Sequence, residues 1–233
     1  MIPECWKTAI EEVVESVLET AGIDSPPIDA FFVAEQLEFT VLVDQTQSSR
    51  GRYKRLKGKS LIVLKPEERG ERLQWSLSHE LGEAYAWKIF ELAADEDRSY
   101  NGLREQVANL FASMLLLPSK WFFEDAKYLH FNLKELKKIY STASHELIAL
   151  RFLDFPQETI MTVFDHGKVT RRNSNRTQNA ARLIPLERNC QQEVHRINKT
   201  LEIQERGLRI QCWPVHEPGW KREIVRTTVD EWE

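Results

Sequence analysis

The sequence predicts an α+β fold, with a small β-sheet set among helices, a helical subdomain, and a small β-containing C-terminal part. Three observations carry this. Apolar residues recur at helical spacing from the start (Trp6, Ile10, Val13, Val14, Val17, Leu18). Two β-branched runs, "TVLVDQ" and "KSLIVLKP", follow the second helical segment. Strand-like stretches return after Pro156 as "TIMTVFDHGKVTRR", "LRIQCWPV" and "REIVRTTVDEW".

Taken in order, the first helix ends near Thr20, where "AGIDSPP" supplies glycine and proline stops. Asp29 then suits the N-cap of a short second helix carrying Phe32, Val33 and Leu37. Between the first two strands, "SSRGRYKRLKGKS" places Arg50, Arg52, Lys54, Arg55, Lys57 and Lys59 around Tyr53. This fits a charge-guarded hairpin or edge strand, with an acidic or phosphate partner as the sharper alternative. "PEERGERLQWSLSHELGEAYAWKIFELAADED" is a long helical stretch, and "LREQVANLFASMLLLP" is a second one stopped by Pro118. Three short helices lead to Pro156, and Asp165, His166 and Gly167 mark a hairpin turn beyond it. A polar linker, "NSNRTQNA", and a helical "CQQEVHRINKTLE" separate the last strands.

Composition narrows the function classes. The 233 residues carry 32 Lys plus Arg against 36 Asp plus Glu, so a net charge of -4 offers no global attraction to nucleic acid or anionic membrane. No apolar run is long enough to span a bilayer, and the first twenty residues are acidic and amphipathic, so a cytoplasmic protein with no membrane partner is expected. Cys5, Cys190 and Cys212 are far apart and odd in number, which fits free, mostly core-filling thiols. Lys134, Lys137, Lys138 and Arg151 are diluted by Glu135 and Glu146, so direct nucleic-acid binding is not expected.

The chemistry concentrates in "SLSHELGEAYAW". Side chains four apart on a helix point the same way, so His79 and Glu83 can face one metal ion while Glu80 reaches a water beside it. Glu83 stands where a zinc peptidase helix of the H-E-x-x-H type has its second histidine. A carboxylate can replace imidazole in the coordination of zinc. On the next helix, Glu105 and Asn109 share a polar face opposite Val107, Leu110, Phe111, Met114 and Leu115, and Glu105 is the candidate third ligand. His79, Glu83 and Glu105 together would neutralise a dipositive ion, which weakens its Lewis acidity and favours an oxygen-tolerant metal such as manganese. The alternative is structural: Glu83 is an exposed helix residue, and His79 is a polar group satisfied by Glu105 or by backbone.

"RLQWSLSHELGEAYAW" followed by "EQVANLFASMLLLP" resembles the ImmA/IrrE family of metallopeptidases, and the likeness in order of elements extends over roughly residues 25–170. The last sixty or so residues have no place in it. The resemblance implies a zincin-like core over residues 1–128, followed here by a helical subdomain at 129–155 and a C-terminal β-containing region at 156–233. It implies that His79 and Glu105 are metal ligands, that Glu80 is the catalytic general base, and that Glu83 occupies the second histidine's place. Asn109 matches the family's alanine-asparagine pair.

The cofactor implied is zinc, with manganese or another divalent cation as the alternative. The activity implied is hydrolysis of a protein substrate, in such families often a helix-turn-helix repressor, which connects the chain to transcription regulation and stress response. A catalytically inactive regulator that binds a partner through the same groove is the competing reading. Tyr100 and His130 flank the motifs and are candidates for supporting the site. His145, in a second S-H-E triplet, has Ala149 where a ligand would be needed, and His166, His195 and His216 are isolated in sequence.

Overall fold

The computed structural model describes residues 4–93 and 101–229, which form two compact units. Unit 1 comprises Met1–Tyr128 and Lys138–Ser144, and unit 2 comprises Leu129–Lys137 and His145–Glu233. Residues 129–155 thus divide between the two. The α+β class holds in both.

In unit 1, α1 (Glu4–Thr20) buries the stripe that its periodicity announces: Trp6, Ala9, Ile10, Val13, Val14, Val17 and Leu18. That face packs on α3 (Gly70–Leu92) and α4 (Asn101–Leu116), with Trp6 edge-on to Phe90 at 4.9 Å between ring centroids. α2 (Ala30–Gln36) is capped as expected, since Asp29 Oδ1 accepts from the Phe31 amide at 2.9 Å. Gln74 of α3 then accepts from the Ala30 amide and donates to Asp29, tying the start of α2 to the helix that carries the motif.

Three strands complete the layer: β1 (Thr40–Val43), β2 (Gly51–Leu56) and β3 (Lys59–Leu64), in the order β1-β3-β2. β1 runs parallel to β3 and β2 antiparallel to it. The basic stretch is therefore an edge strand, and the turn Lys57-Gly58 has positive φ at both residues, as a two-residue hairpin of right-handed twist requires. β3 buries Ile62 and Leu64, and both β2 and β3 contact α3. α5 (Ser119–Tyr128) buries Phe122 and Ala126. α6 (Leu133–Ile139), whose residues up to Lys137 belong to unit 2, buries Leu133 and Leu136.

In unit 2, α7 (His145–Arg151) leads through a 3-10 turn at Phe152–Asp154 into β4 (Thr159–Asp165) and β5 (Lys168–Ser174). α8 (Pro185–Ile197) precedes β6 (Leu201–Glu205), β7 (Leu208–Glu217) and β8 (Trp220–Val229). The sheet order is β5-β4-β8-β7-β6, and every neighbouring pair is antiparallel. The expected Asp165 to Gly167 turn is present, with positive φ at His166 and Gly167.

α8 covers one face of this sheet around Phe164, Cys190, Val194, Ile210, Cys212 and Val225. On the opposite face the Arg226 guanidinium lies 3.9 Å from the Phe131 ring and donates to Gln211 and Gln157. The helical reading of "CQQEVHRINKTLE" runs too far. α8 stops at Ile197 because Asn198 adopts the left-handed conformation, φ 54°, and the chain is extended again from Leu201. Cys5 is exposed, while Cys190 and Cys212 are buried free thiols. Among the described residues no helix is long and apolar enough to cross a membrane.

Candidate metal centre

The two helices of unit 1 that carry the motif meet closely because one of them has a glycine at the contact. A Cβ on Gly82 would lie 2.9 Å from Ala108 Cα and 3.0 Å from its carbonyl oxygen, both backbone atoms that cannot yield. This approach brings His79 of α3 against Glu105 and Asn109 of α4. His79 Nδ1 is 3.2 Å from Asn109 Oδ1, Asn109 Nδ2 donates to Glu105 Oε1 at 3.2 Å, and His79 Nε2 is 3.6 Å from Glu105 Oε2. One asparagine holds both neighbours.

That triangle dictates the histidine tautomer. The Glu105 carboxylate accepts only, so it must face the Asn109 NH2 group, which turns Asn109 Oδ1 toward His79. Nδ1 of His79 must then carry a proton, and in the neutral ring Nε2 presents its lone pair toward a carboxylate oxygen. Nε2 of His79 and Oε2 of Glu105, 3.6 Å apart, can then both turn a lone pair toward one cation.

Glu83 joins the same cluster: single donor atoms of His79, Glu83 and Glu105 lie within 4.8 Å of one another. Its carboxylate is also engaged by a residue that the sequence did not single out. Arg104 Nε donates to Glu83 Oε2 at 2.5 Å and its NH2 group donates to the Glu83 carbonyl oxygen at 3.0 Å. No local signal marks Arg104, because its partner is on another helix. The clue was the unexplained negative charge at the second ligand position.

Glu80 is separately placed. It is buried at 8% exposure beneath β2, where Gly51 makes room for it: a Cβ at Gly51 would stand 2.5 Å from Glu80 Oε1 and 2.7 Å from its Cγ. Burial pushes the Glu80 carboxyl above its ordinary range. The opposing pull of His79 and of the Tyr53 backbone amide is smaller, and Glu83 and Glu105 add to the rise. A solvent-open cleft of about 240 Å³ runs past Arg50, Gly51, Trp75, His79, Glu80 and Glu105. Of the two proposed supports, Tyr100 lies outside the described residues. His130 belongs to unit 2, with φ 50° and its carbonyl accepting from Gln211 at 3.3 Å.

A histidine and two glutamates thus meet on packed helices, beside a buried glutamate under an edge strand. The chain belongs to the ImmA/IrrE family: residues 34–152, more than half of it, match the IrrE N-terminal-like domain of the M78 peptidases. Among curated proteins none matches it. A solved Mycobacterium tuberculosis transcriptional regulator is similar in structure, with a TM-score of 0.69 over 98% of this chain and 81% of that one. At 14% identity that likeness shows the fold.

Proposed function

We propose that the chain is a metal-dependent endopeptidase acting on a protein substrate, with His79, Glu83 and Glu105 holding a divalent ion and Glu80 serving as general base. The observation that carries this is the Asn109 clamp, which aims the His79 Nε2 lone pair at Glu105. A bound ion would supply Lewis acidity toward the scissile carbonyl and toward water. Glu80, one residue past His79 and sheltered by Gly51, is positioned to take the proton of an attacking water and return it to the leaving amine. β2 exposes one edge to the cleft, where an extended substrate segment can add its backbone as a further strand.

Arg104 bears on how a glutamate can serve as the second ligand. A dipositive ion with Glu83 and Glu105 is neutral overall, but the Arg104 guanidinium offsets Glu83 and leaves about one net positive charge, as two imidazoles and one carboxylate would. The proposed substrate is a transcriptional repressor of the helix-turn-helix type. Family membership supports that choice.

The same ion pair favours a second reading. If Glu83 stays committed to Arg104, His79 and Glu105 alone make a weak site, and the chain is a catalytically silent regulator that binds its partner through this cleft. Metal analysis of the purified protein, paired with peptidase assay of Glu80→Gln, separates the two. The enzyme reading expects metal in both proteins and cleavage in the wild type alone. Absence of metal after incubation with zinc and with manganese rejects it.

A further inference from the structure

Unit 2 contains a second cluster of ligand-type side chains, and the peptidase reading makes no use of it. Glu223 begins the buried run of β8 and is fully buried. Both imidazoles of His195, in the last turn of α8, and His216, near the end of β7, aim at one of its oxygens. His195 Nδ1 is 2.8 Å and His216 Nε2 is 2.5 Å from Glu223 Oε1. The other oxygen accepts from Gln191 Nε2 at 2.9 Å, which holds the carboxylate plane in place. The three donor atoms lie within 4.8 Å of one another.

The charge balance is what makes this more than a polar contact. Among the described residues, the hydrogen bonds and ion pairs of Glu223 go to His195, His216 and Gln191, and none goes to an arginine or lysine. A carboxylate with no exposed surface must be compensated by a cation or by hydrogen bonds, because an unpaired buried charge costs several kcal/mol. At the other end of α8 the buried Glu187 meets that need with Arg172, Thr227 and the Ile184 amide. Glu223 has two imidazoles instead.

We propose that His195, His216 and Glu223 form a zinc site, with His195 bound through Nδ1, His216 through Nε2 and Glu223 through Oε1. Two nitrogens and one oxygen suit zinc. In the metal-free cluster both nitrogens donate to the accept-only carboxylate, so zinc takes the place of those protons and each neutral ring then carries its proton on the other nitrogen. The His195 side chain is 34% exposed and that of His216 is 10%, so solvent can reach the cluster and supply a fourth ligand. Tetrahedral bonds of about 2.0–2.2 Å place ligand atoms about 3.3–3.6 Å apart, so the two rings must recede from Glu223 by roughly 1 Å or less. The bound ion pins the last turn of α8 to the β7-β8 hairpin.

The test uses the full chain with the unit 1 cluster disabled by His79→Ala and Glu105→Gln, titrated with cobalt as a spectroscopic stand-in for zinc. The expected result is one equivalent bound with the visible bands of tetrahedral cobalt, displaced by zinc, and a melting temperature raised by zinc. His195→Asn, at a part-exposed position whose loss should leave the unit folded, is expected to weaken binding at least tenfold. The isosteric Glu223→Gln is expected to abolish the bands. No tetrahedral cobalt in the disabled chain, or bands that survive both substitutions, would overturn the assignment and leave a hydrogen-bonded His-Glu-His cluster. Because the unit 1 cluster is absent from the test protein, the result is independent of the peptidase proposal.

Discussion

The two ligand clusters differ in composition and in how they satisfy charge. In unit 1 one histidine faces two glutamates, Glu105 is largely exposed, and Glu83 is claimed by Arg104. In unit 2 two histidines converge on one glutamate that is fully buried and, among the described residues, has no arginine partner. The first cluster has spare negative charge, a cleft and a buried glutamate alongside. The second is largely buried, is reached by solvent past the part-exposed His195, and orients its carboxylate through Gln191. A site built for turnover keeps its ion reachable, whereas a site built to brace a fold spends its ligands on burial.

This contrast can be broken at several points. The largest effect is expected at Glu80. Glu80→Gln keeps the shape but not the base, so cleavage of a protein substrate should fall by about a hundredfold to ten-thousandfold with the metal content unchanged. Metal lost together with activity would make Glu80 a ligand. Gly51→Ala comes next. Its Cβ would stand 2.5 Å from Glu80 Oε1, and the side chain, being flexible, moves rather than unfolding the unit. A displaced base should lower kcat by up to about a hundredfold while KM and metal affinity hold.

Asn109→Ala removes the clamp on His79 and Glu105. Isothermal titration should find metal affinity at the unit 1 cluster lowered by about 10–100-fold, with no change in unit 2. Arg104→Met should act in the opposite direction. Removing the guanidinium frees Glu83 and makes the cluster more negative, so metal affinity should rise by about tenfold. Unaltered affinity would mean that Glu83 never reaches the ion.

The smallest effect is a pH dependence confined to unit 2. Burial works to raise the Asp165 carboxyl, but the Arg222 guanidinium, with Thr170 and His166, holds it below its ordinary value of 3.8. A group depressed in the folded state contributes stability that is present above that value and is lost as pH falls through the folded one. Urea midpoints of the unit should therefore drop below about pH 4, and Asp165→Asn should flatten that drop. An unchanged slope in the variant would remove Asp165 from the account.

Much of this architecture was legible in the sequence where interactions are local. The α1 stripe, the Asp29 cap, the turn at Asp165 to Gly167 and the i, i+4 relations of His79 with Glu83 and of Glu105 with Asn109 all follow from spacing along one element. What stayed hidden depends on pairing between elements. Arg104 meets Glu83 across two helices, and Gly51 makes room for Glu80 between a strand and a helix. His195 and His216 look isolated because a helix and a hairpin must both fold before they share Glu223. The helical reading runs past Asn198 to Glu202 because the stop is the backbone conformation of Asn198, a residue that does not forbid a further turn.

The central claim is that the unit 1 cluster holds an ion despite Glu83, and anomalous scattering from crystals grown with zinc or manganese tests it most directly. The account predicts an ion between His79 Nε2 and a Glu105 oxygen, with Glu83 contributing its oxygen not bound by Arg104. An empty cluster at saturating metal, with the Glu83–Arg104 pair closed and Asn109 still bridging His79 and Glu105, would contradict it.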